Sequence, residues 1–349
     1  MASTIRDVAR HAGVSVATVS RTLRDPEIVS PSTRQRVRKA VSELAFEPSQ
    51  LGRQLAERRH AANGIVFPDL SGPYYAEVVL GYEEVTAELG RAVLILSTHG
   101  RPGAADLVQQ LAGRCDGLVV FGRTVADDVL ERLAVRGTPL VLLARTELQG
   151  ADRTDRCDTV NAENTEAARA LAAHLAASGA RSVTFVGDPG LSPDLGERLD
   201  GLQRGAQAHG LAVTVHEPRG MDEAAGAAVA AELSARPGGL PDAVACANDE
   251  LALGLLTTLR DSGVRVPQDV LVSGWDDVMA ARYAGLTTVR QPMRALGATA
   301  ARLLDERISG GRTLPVHEVL PTELVVRATT TPPADGPTGD RPREGSEVP

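Results

Sequence analysis

Arg21, in the run Ser15-Val16-Ala17-Thr18-Val19-Ser20-Arg21, is the residue of this 349-residue chain with the most specific chemistry to offer. Its guanidinium can grip guanine through two parallel hydrogen bonds, a contact worth roughly 1 to 3 kcal/mol of base discrimination. Ser15, Val16 and Ala17 sit with it on the first turn of a helix that would enter the major groove. Val16 and Ala17 offer only apolar contact, to a thymine methyl or a closely approached base pair, unless they merely fill a surface gap. Thr18 and Ser20 are suited to hold phosphates.

A second group of chemistry-bearing residues follows short aliphatic runs in the body: Asp69, Asn248-Asp249, Trp275-Asp276 and Gln291. Hydrogen-bonding groups gathered around one indole suit a small polyhydroxylated or heterocyclic ligand. Each also has a plain structural use. Asp276 and Asn248 can cap helices, and Trp275 and Tyr74 can be core. Arg198 can be a surface ion-pair residue. No dinucleotide-type, phosphate-cradling or nucleophile-elbow glycine motif is present, and carboxylates and histidines have no catalytic spacing. Cys115, Cys157 and Cys246 lie far apart, in neither disulfide-framework nor metal-ligand spacing. The reading is a binding protein with no catalytic residue, cofactor or metal.

These residues need elements to place them, and the composition allows for such elements. With 43% apolar and 23% charged residues the chain can build large cores. Residues 1–60 carry eleven Lys/Arg against six Asp/Glu, a net of +5, which leaves −13 on the rest of a chain whose total is −8. A basic head on an acidic body implies a polyanion partner for the head alone. No run is long and apolar enough to span a membrane, and the first residues lack the pattern of a secretory leader. The expected location is cytoplasmic, nucleoid-associated when bound to DNA, with no membrane partner.

In the head, Thr4 can cap a helix with Asp7 in its first turn and Ile5, Val8, Ala9 and Ala12 as its apolar stripe. Gly13 ends it, and Ser15 can cap a second helix whose Val19 and Leu23 are expected to face inward. A third helix follows Ser30-Pro31, with Val37, Val41 and Leu44 buried. Ala9, Gly13 and Val19 in register describe a helix-turn-helix, with a generic helical hairpin as the alternative. Residues 48–60 form a hinge, in which Leu51 and Leu55 share a face across Gly52. So short a helix should form only against a partner, and spacing alone favours an ordinary linker with two incidental leucines.

The body alternates aliphatic runs (64–67, 92–96, 117–121, 140–143, 183–186, 213–215, 243–246, 270–272) with helical stretches. This predicts α/β architecture: two subdomains of parallel sheet flanked by helices, every strand buried on both faces, with a break near Val160. Ligands in such folds sit beyond the carboxyl ends of the strands.

The runs TIRDVARHAGVSVATVSRTL, VSPSTRQRVRKAVSELAFEPS and LGRQLA resemble the head, third helix and hinge of the lactose- and galactose-repressor family, which includes the purine repressor. The resemblance extends over all but the tail. It implies a helix-turn-helix head at 1–47, a hinge at 48–60 and a periplasmic-binding-protein-like effector and dimerisation domain at 61–329. In that domain the N-subdomain would be about 61–160 plus 292–317, and the C-subdomain about 161–290 plus 318–329. It further implies a homodimer on a pseudo-palindromic operator of double-stranded DNA, with Leu55 intercalating in the minor groove and Gly52 at a neighbouring small-residue position. A small-molecule effector, a sugar or a similar metabolite such as a purine, would control the hinge. Position by position, the resemblance assigns Tyr74 beside the ligand, Ser192 in the loop leading to Arg198, and Asn248 in contact with it, with Asp249 as helix cap. It makes Asp276 the acceptor from two hydroxyls and puts Gln291 next to it, while Trp275 walls the pocket. Leu143-Ala144-Arg145 departs from the family's aspartate-arginine, and the pocket reads as poor in aromatics. Residues 330–349 are expected to be a disordered tail without a leucine heptad. The main reading is a ligand-responsive repressor of carbohydrate-utilisation genes. A solute-binding protein is the rival class.

Overall fold

A computed structural model of the chain describes residues 3–46, 60–145, 157–312 and 314–331. Gly52, Leu55 and the rest of the expected hinge helix, and nearly all of the expected tail, lie outside the described residues. The chain divides into two compact units, Met1–Ala61 and Ala62–Pro349.

The first unit holds helices α1 (Ile5–Ala12), α2 (Val16–Arg24) and α3 (Pro31–Glu43), with a 3-10 turn at Pro26–Ile28. Val8, Ala9, Ala12, Val19, Val37, Ala40 and Phe46 form its core, and Val41 and Leu44 pack against it. Leu23 is exposed, not inward as its four-residue spacing from Val19 suggested. Packing of three short helices turns the buried stripe of α2 onto Thr22, whose hydroxyl is satisfied by Thr18 O at 2.8 Å.

The second unit contains two six-stranded sheets. The first lobe orders its strands β11 (His317–Leu320), β5 (Asp158–Ala162), β4 (Leu140–Leu143), β3 (Gly117–Phe121), β1 (Ala62–Phe67) and β2 (Ala92–Ser97). The second orders β12 (Glu323–Val325), β10 (Thr287–Arg290), β9 (Leu271–Asp276), β8 (Ala243–Cys246), β6 (Ser182–Val186) and β7 (Ala212–His216). All pairings are parallel except that of β10 with β12. The helices are α4 (Pro73–Glu88), α5 (Ala104–Ala112), α6 (Asp127–Val135), α7 (Thr165–Ala177), α8 (Pro193–His209), α9 (Glu223–Ser234), α10 (Asp249–Asp261), α11 (Met279–Ala284) and α12 (Met293–Ser309).

The central strands are buried on both faces, whereas β2 and β7 are partly exposed, because each is an edge with a neighbour on one side only. The chain crosses between lobes after Ala162, after Arg290 and after Leu320. The crossings therefore fall beyond the ends of whole strands: β5 runs through the expected break at 160, and β11 carries the first lobe past residue 317. Helices α4 and α12 approach until a methyl added at Gly81 would strike the Arg294 carbonyl and one at Gly297 the Val78 carbonyl. Such contact needs glycine for its lack of a side chain rather than for its torsional freedom. Among the described residues, no helix is long and apolar enough to cross a membrane.

Candidate DNA-reading head and ligand cleft

The ends of the head helices are fixed by local hydrogen bonds. Thr4 Oγ1 accepts from Asp7 N at 3.3 Å while Asp7 Oδ2 accepts from Thr4 N at 3.0 Å, a reciprocal cap. Gly13, at φ 64°, supplies the left-handed residue that lets the chain turn into α2. Ser15 Oγ accepts from Thr18 N at 3.1 Å and lies 2.9 Å from Thr18 Oγ1. Ser15, Val16, Ala17 and Arg21 are exposed on one face of α2, and Thr18 and Ser20 are half-buried beside them. Arg21 has no partner within the chain among the described residues, so its five donors are available to a base edge or a phosphate. Ser15→Ala is expected to remove the cap at a cost of about 0.5 to 2 kcal/mol in head stability. Amide exchange at Thr18 and Val19 would report the loss, and unchanged protection there would rule out the capping role.

In the body, Arg198 on α8 is fixed from three sides and is almost fully buried. Its Nε donates to Asn164 Oδ1 at 3.0 Å, its Nη1 donates to Ala247 O at 2.7 Å, and its guanidinium carbon lies 4.6 Å from the centre of the Trp275 ring. Asp276, at the carboxyl end of β9, accepts from Gln291 Nε2 at 2.5 Å. It holds φ 115° and Asp277 holds φ 59°, backbone values that cost a non-glycine residue about 1 to 3 kcal/mol each. Ion pairs from Asp277 to Arg290 (2.7 Å) and Arg327 (2.6 Å) brace the turn. The bracing aims the Asp276 carboxyl inward.

Two of these buried groups have unused hydrogen-bonding capacity. Trp275 Nε1 and Gln291 Oε1 have no partner among the described residues. A buried donor or acceptor without a partner costs about 1 to 3 kcal/mol, so both are sites a ligand or water would satisfy.

The first lobe brings an aromatic wall. Tyr74 and Tyr75, in the first turn of α4, pack edge-to-face with Phe121, with centroids 5.9 Å and 5.3 Å away, and Phe67 stands 5.5 Å from Tyr75. Phe67 and Phe121 belong to the buried core of this lobe, so Tyr74 and Tyr75 are the more exposed members of the cluster. Tyr74 is half-buried. Its phenol is raised well above the usual range by burial, and next by Asp194 and Asp276 of the other lobe, with Arg198 opposing. The two lobes therefore face each other across these groups.

Arg198 is the one cation in this group, set against Asp194, Glu250 and Asp276. Burial lifts the Asp276 carboxyl well above its ordinary range despite Arg198. Asp194 is pushed up to about 6 by burial, again against Arg198. A site of this kind can accept hydroxyl donors at its carboxyls, offer donors from Arg198 and Trp275, and cover a ring face with tyrosine.

Ser192 and Asn248 already use their side chains locally. Ser192 caps α8 by accepting from Leu195 N. Asn248, not Asp249, caps α10: Oδ1 accepts from Leu251 N at 3.0 Å while Nδ2 donates to Met221 O at 2.7 Å. Asp249 lies fully buried and accepts from Thr288 Oγ1 (2.7 Å) and Val278 N (2.9 Å). Burial is the main reason its carboxyl is raised to about 7. Where the family's aspartate is missing, Ala144 takes φ 57° and Arg145 turns into the lobe to pair with Asp127. Sequence reasoning missed Tyr75, Asp194 and Glu250. Asp194 was findable, one helical turn before Arg198.

Residues 4–49 match the bacterial regulatory proteins of the lacI family, and residues 172–330 match a periplasmic binding protein-like domain. The chain is 34% identical over 342 residues to the HTH-type transcriptional regulator GalR of Salmonella typhimurium, covering 95% of this chain and 97% of that one. It is 28% identical over 337 residues to catabolite control protein A of Staphylococcus epidermidis, covering 95% and 100%. Among solved structures, the lac repressor dimer bound to operator and the anti-inducer ONPF superposes with a TM-score of 0.81 at 26% identity, covering 95% of this chain and 99% of that one. A transcriptional regulator CelR–cellobiose complex superposes at 0.68 with 31% identity, covering 94% and 99%.

Proposed function

Because this chain belongs to the lacI family of bacterial regulatory proteins, we propose that it is a ligand-responsive transcriptional repressor that binds a pseudo-palindromic operator as a homodimer. The observation that carries the reading is the capped α2 with Val16, Ala17 and Arg21 exposed on one face, Arg21 having no partner among the described residues. That is the geometry a recognition helix needs in the major groove. Ser15 stands with Val16, Ala17 and Arg21 at the base edges, Thr18 and Ser20 contact the flanking phosphates in this reading, and Leu55 with Gly52 acts at the operator centre.

The effector is a sugar, held in the cleft by Tyr74, Arg198, Trp275, Asp276 and Gln291, with the caps Ser192 and Asn248 at its rim. The relative solved with cellobiose supports this class. Self-association is supported by the relative solved as a dimer bound to operator. Effector binding between the lobes would respace the two copies of the first lobe and so decide whether the hinges pair. A coupling of about 1 to 3 kcal/mol would change operator affinity roughly five- to 150-fold. The protein works in the cytoplasm and does no catalysis; turnover of a bound sugar by purified protein would contradict that.

The test is Arg21→Ala in a gel-shift panel of operator and scrambled duplexes. Preference for operator should fall by roughly 1 to 3 kcal/mol while nonspecific binding persists. Unchanged discrimination would remove Arg21 from base reading.

A further inference from the structure

Glu250 is the cleft carboxylate that touches both lobes. It stands in the first turn of α10, in the second lobe, yet a methyl added at Gly72 of the first lobe would lie 2.5 Å from its Oε1. Gly72, at φ 86°, precedes Pro73 and opens α4, the helix that presents Tyr74 and Tyr75; no side chain of its own caps that helix. The second oxygen, Oε2, is buried without a hydrogen-bond partner among the described residues. Its charge is also felt by Tyr75 of the first lobe and by Asp276 of the second. A buried acceptor facing a ligand cleft and lacking a partner has a hydrogen bond still to make.

We propose that Glu250 is a specificity-determining residue of the cleft, with one carboxyl oxygen seated against the Gly72 backbone to set lobe closure and the other accepting a hydrogen bond from an effector hydroxyl. The proposal rests on the reading of this cleft as a sugar site. Gly72 stands at φ 86°, which favours glycine, and a methyl there would push the carboxylate end of Glu250 from its seat. The closing force on the effector is thereby tied to an acceptor that only the closed arrangement buries.

The chain carries its own reporter, since Trp275 is its single tryptophan and lies under Arg198 in the same cleft. Full-length protein is titrated with cellobiose, D-galactose and D-ribose while Trp275 emission is followed, and sugar-free operator affinity is measured by gel shift. Glu250→Met, equal in length but without an acceptor, is expected to raise the half-saturating concentration of the responding sugar by threefold or more. A role in packing alone would leave that titration where it was, and a shift under threefold overturns the proposal. Gly72→Ala, Glu250→Ala and the double variant form the second arm. Torsional strain at residue 72 is common to the single and double Gly72 variants and cancels in the cycle. Non-additive losses, with Glu250→Ala relieving part of the Gly72→Ala defect, are expected; strictly additive losses overturn the lobe contact. If none of the three sugars moves Trp275 emission in the wild type while operator binding is intact, the sugar reading itself fails, and the proposal falls with it.

Discussion

Asp276→Ala is expected to abolish the effector response while operator binding without effector stays at the wild-type level. The carboxyl is almost fully buried, and among the described residues its one side-chain hydrogen bond comes from Gln291 Nε2, which leaves acceptor capacity for a ligand. Hydrogen bonds to a charged group contribute about 1.5 to 3 kcal/mol each, and loss of two such bonds to effector hydroxyls would weaken binding by roughly two orders of magnitude or more. A normal effector titration of this variant, by Trp275 emission or by release of operator, would mean that the cleft lies elsewhere.

The same carboxyls give effector binding a pH dependence whose sign follows from their surroundings. Burial raises Asp276 well above its ordinary range and Asp194 to about 6, so in the empty cleft each holds its proton more tightly than in the unfolded chain. Hydroxyl donors favour the charged form. Binding therefore expels protons, and affinity should rise with pH through the pKa of the empty site. Without effector the body should lose stability over that interval, from about pH 4, where an unfolded aspartate titrates, to beyond 6. Calorimetry in two buffers of different ionisation enthalpy would detect the released protons.

What could be read from the sequence was whatever a segment decides by itself. Thr4 with Asp7, Gly13 and Ser15 act within four residues of their partners, so caps and turn are visible in order. Leu23 and Thr22 differ by one residue on α2, and which of them is buried depends on α1 and α3, which no local rule includes. Strands were visible where their runs are aliphatic, in the buried centres of the sheets and at the partly exposed edges β2 and β7 alike. Strands β5 and β10 were not, since Asp158, Thr159, Asn161 and Thr287 put polar atoms into the sheets. The partners that satisfy Asp158 and Thr287 lie far along the chain, at Arg307, Arg312 and Thr329. The cleft divides in the same way. Arg198, Asp276 and Gln291 follow from strand ends and family likeness, whereas Glu250 becomes a cleft residue only when the two lobes meet at Gly72.

Asp158→Ala is expected to cost the body about 3 to 5 kcal/mol, the penalty for stranding buried partners of an ion pair. The carboxylate has no exposed surface and receives four bonds from two arginines: Arg307 Nε (2.7 Å) and Nη2 (2.9 Å), and Arg312 Nη1 and Nη2 (both 2.8 Å). Val316 N adds a fifth at 2.7 Å. Burial alone would raise this carboxyl, but the bonds from Arg312, Arg307 and Val316 outweigh it and hold the group below its usual value. Because the folded pKa is depressed, the stabilisation is present above the unfolded aspartate value of about 3.9 and fades as pH falls through the lower folded value. The variant should therefore differ from wild type in thermal midpoint by on the order of 10 °C near neutrality, and by less as the pH falls below about 4. The loss should also reach the cleft. Asp158 ties the start of β5 to α12 and β11, and β5 leads within six residues to Asn164, whose Oδ1 anchors Arg198. If β5 shifts in its sheet, that anchor moves, so effector affinity should drop together with stability. A variant that melts like wild type at pH 7 would show that the two arginines find solvent or other acceptors. One that melts early but binds effector normally would show that β5 does not transmit to Arg198.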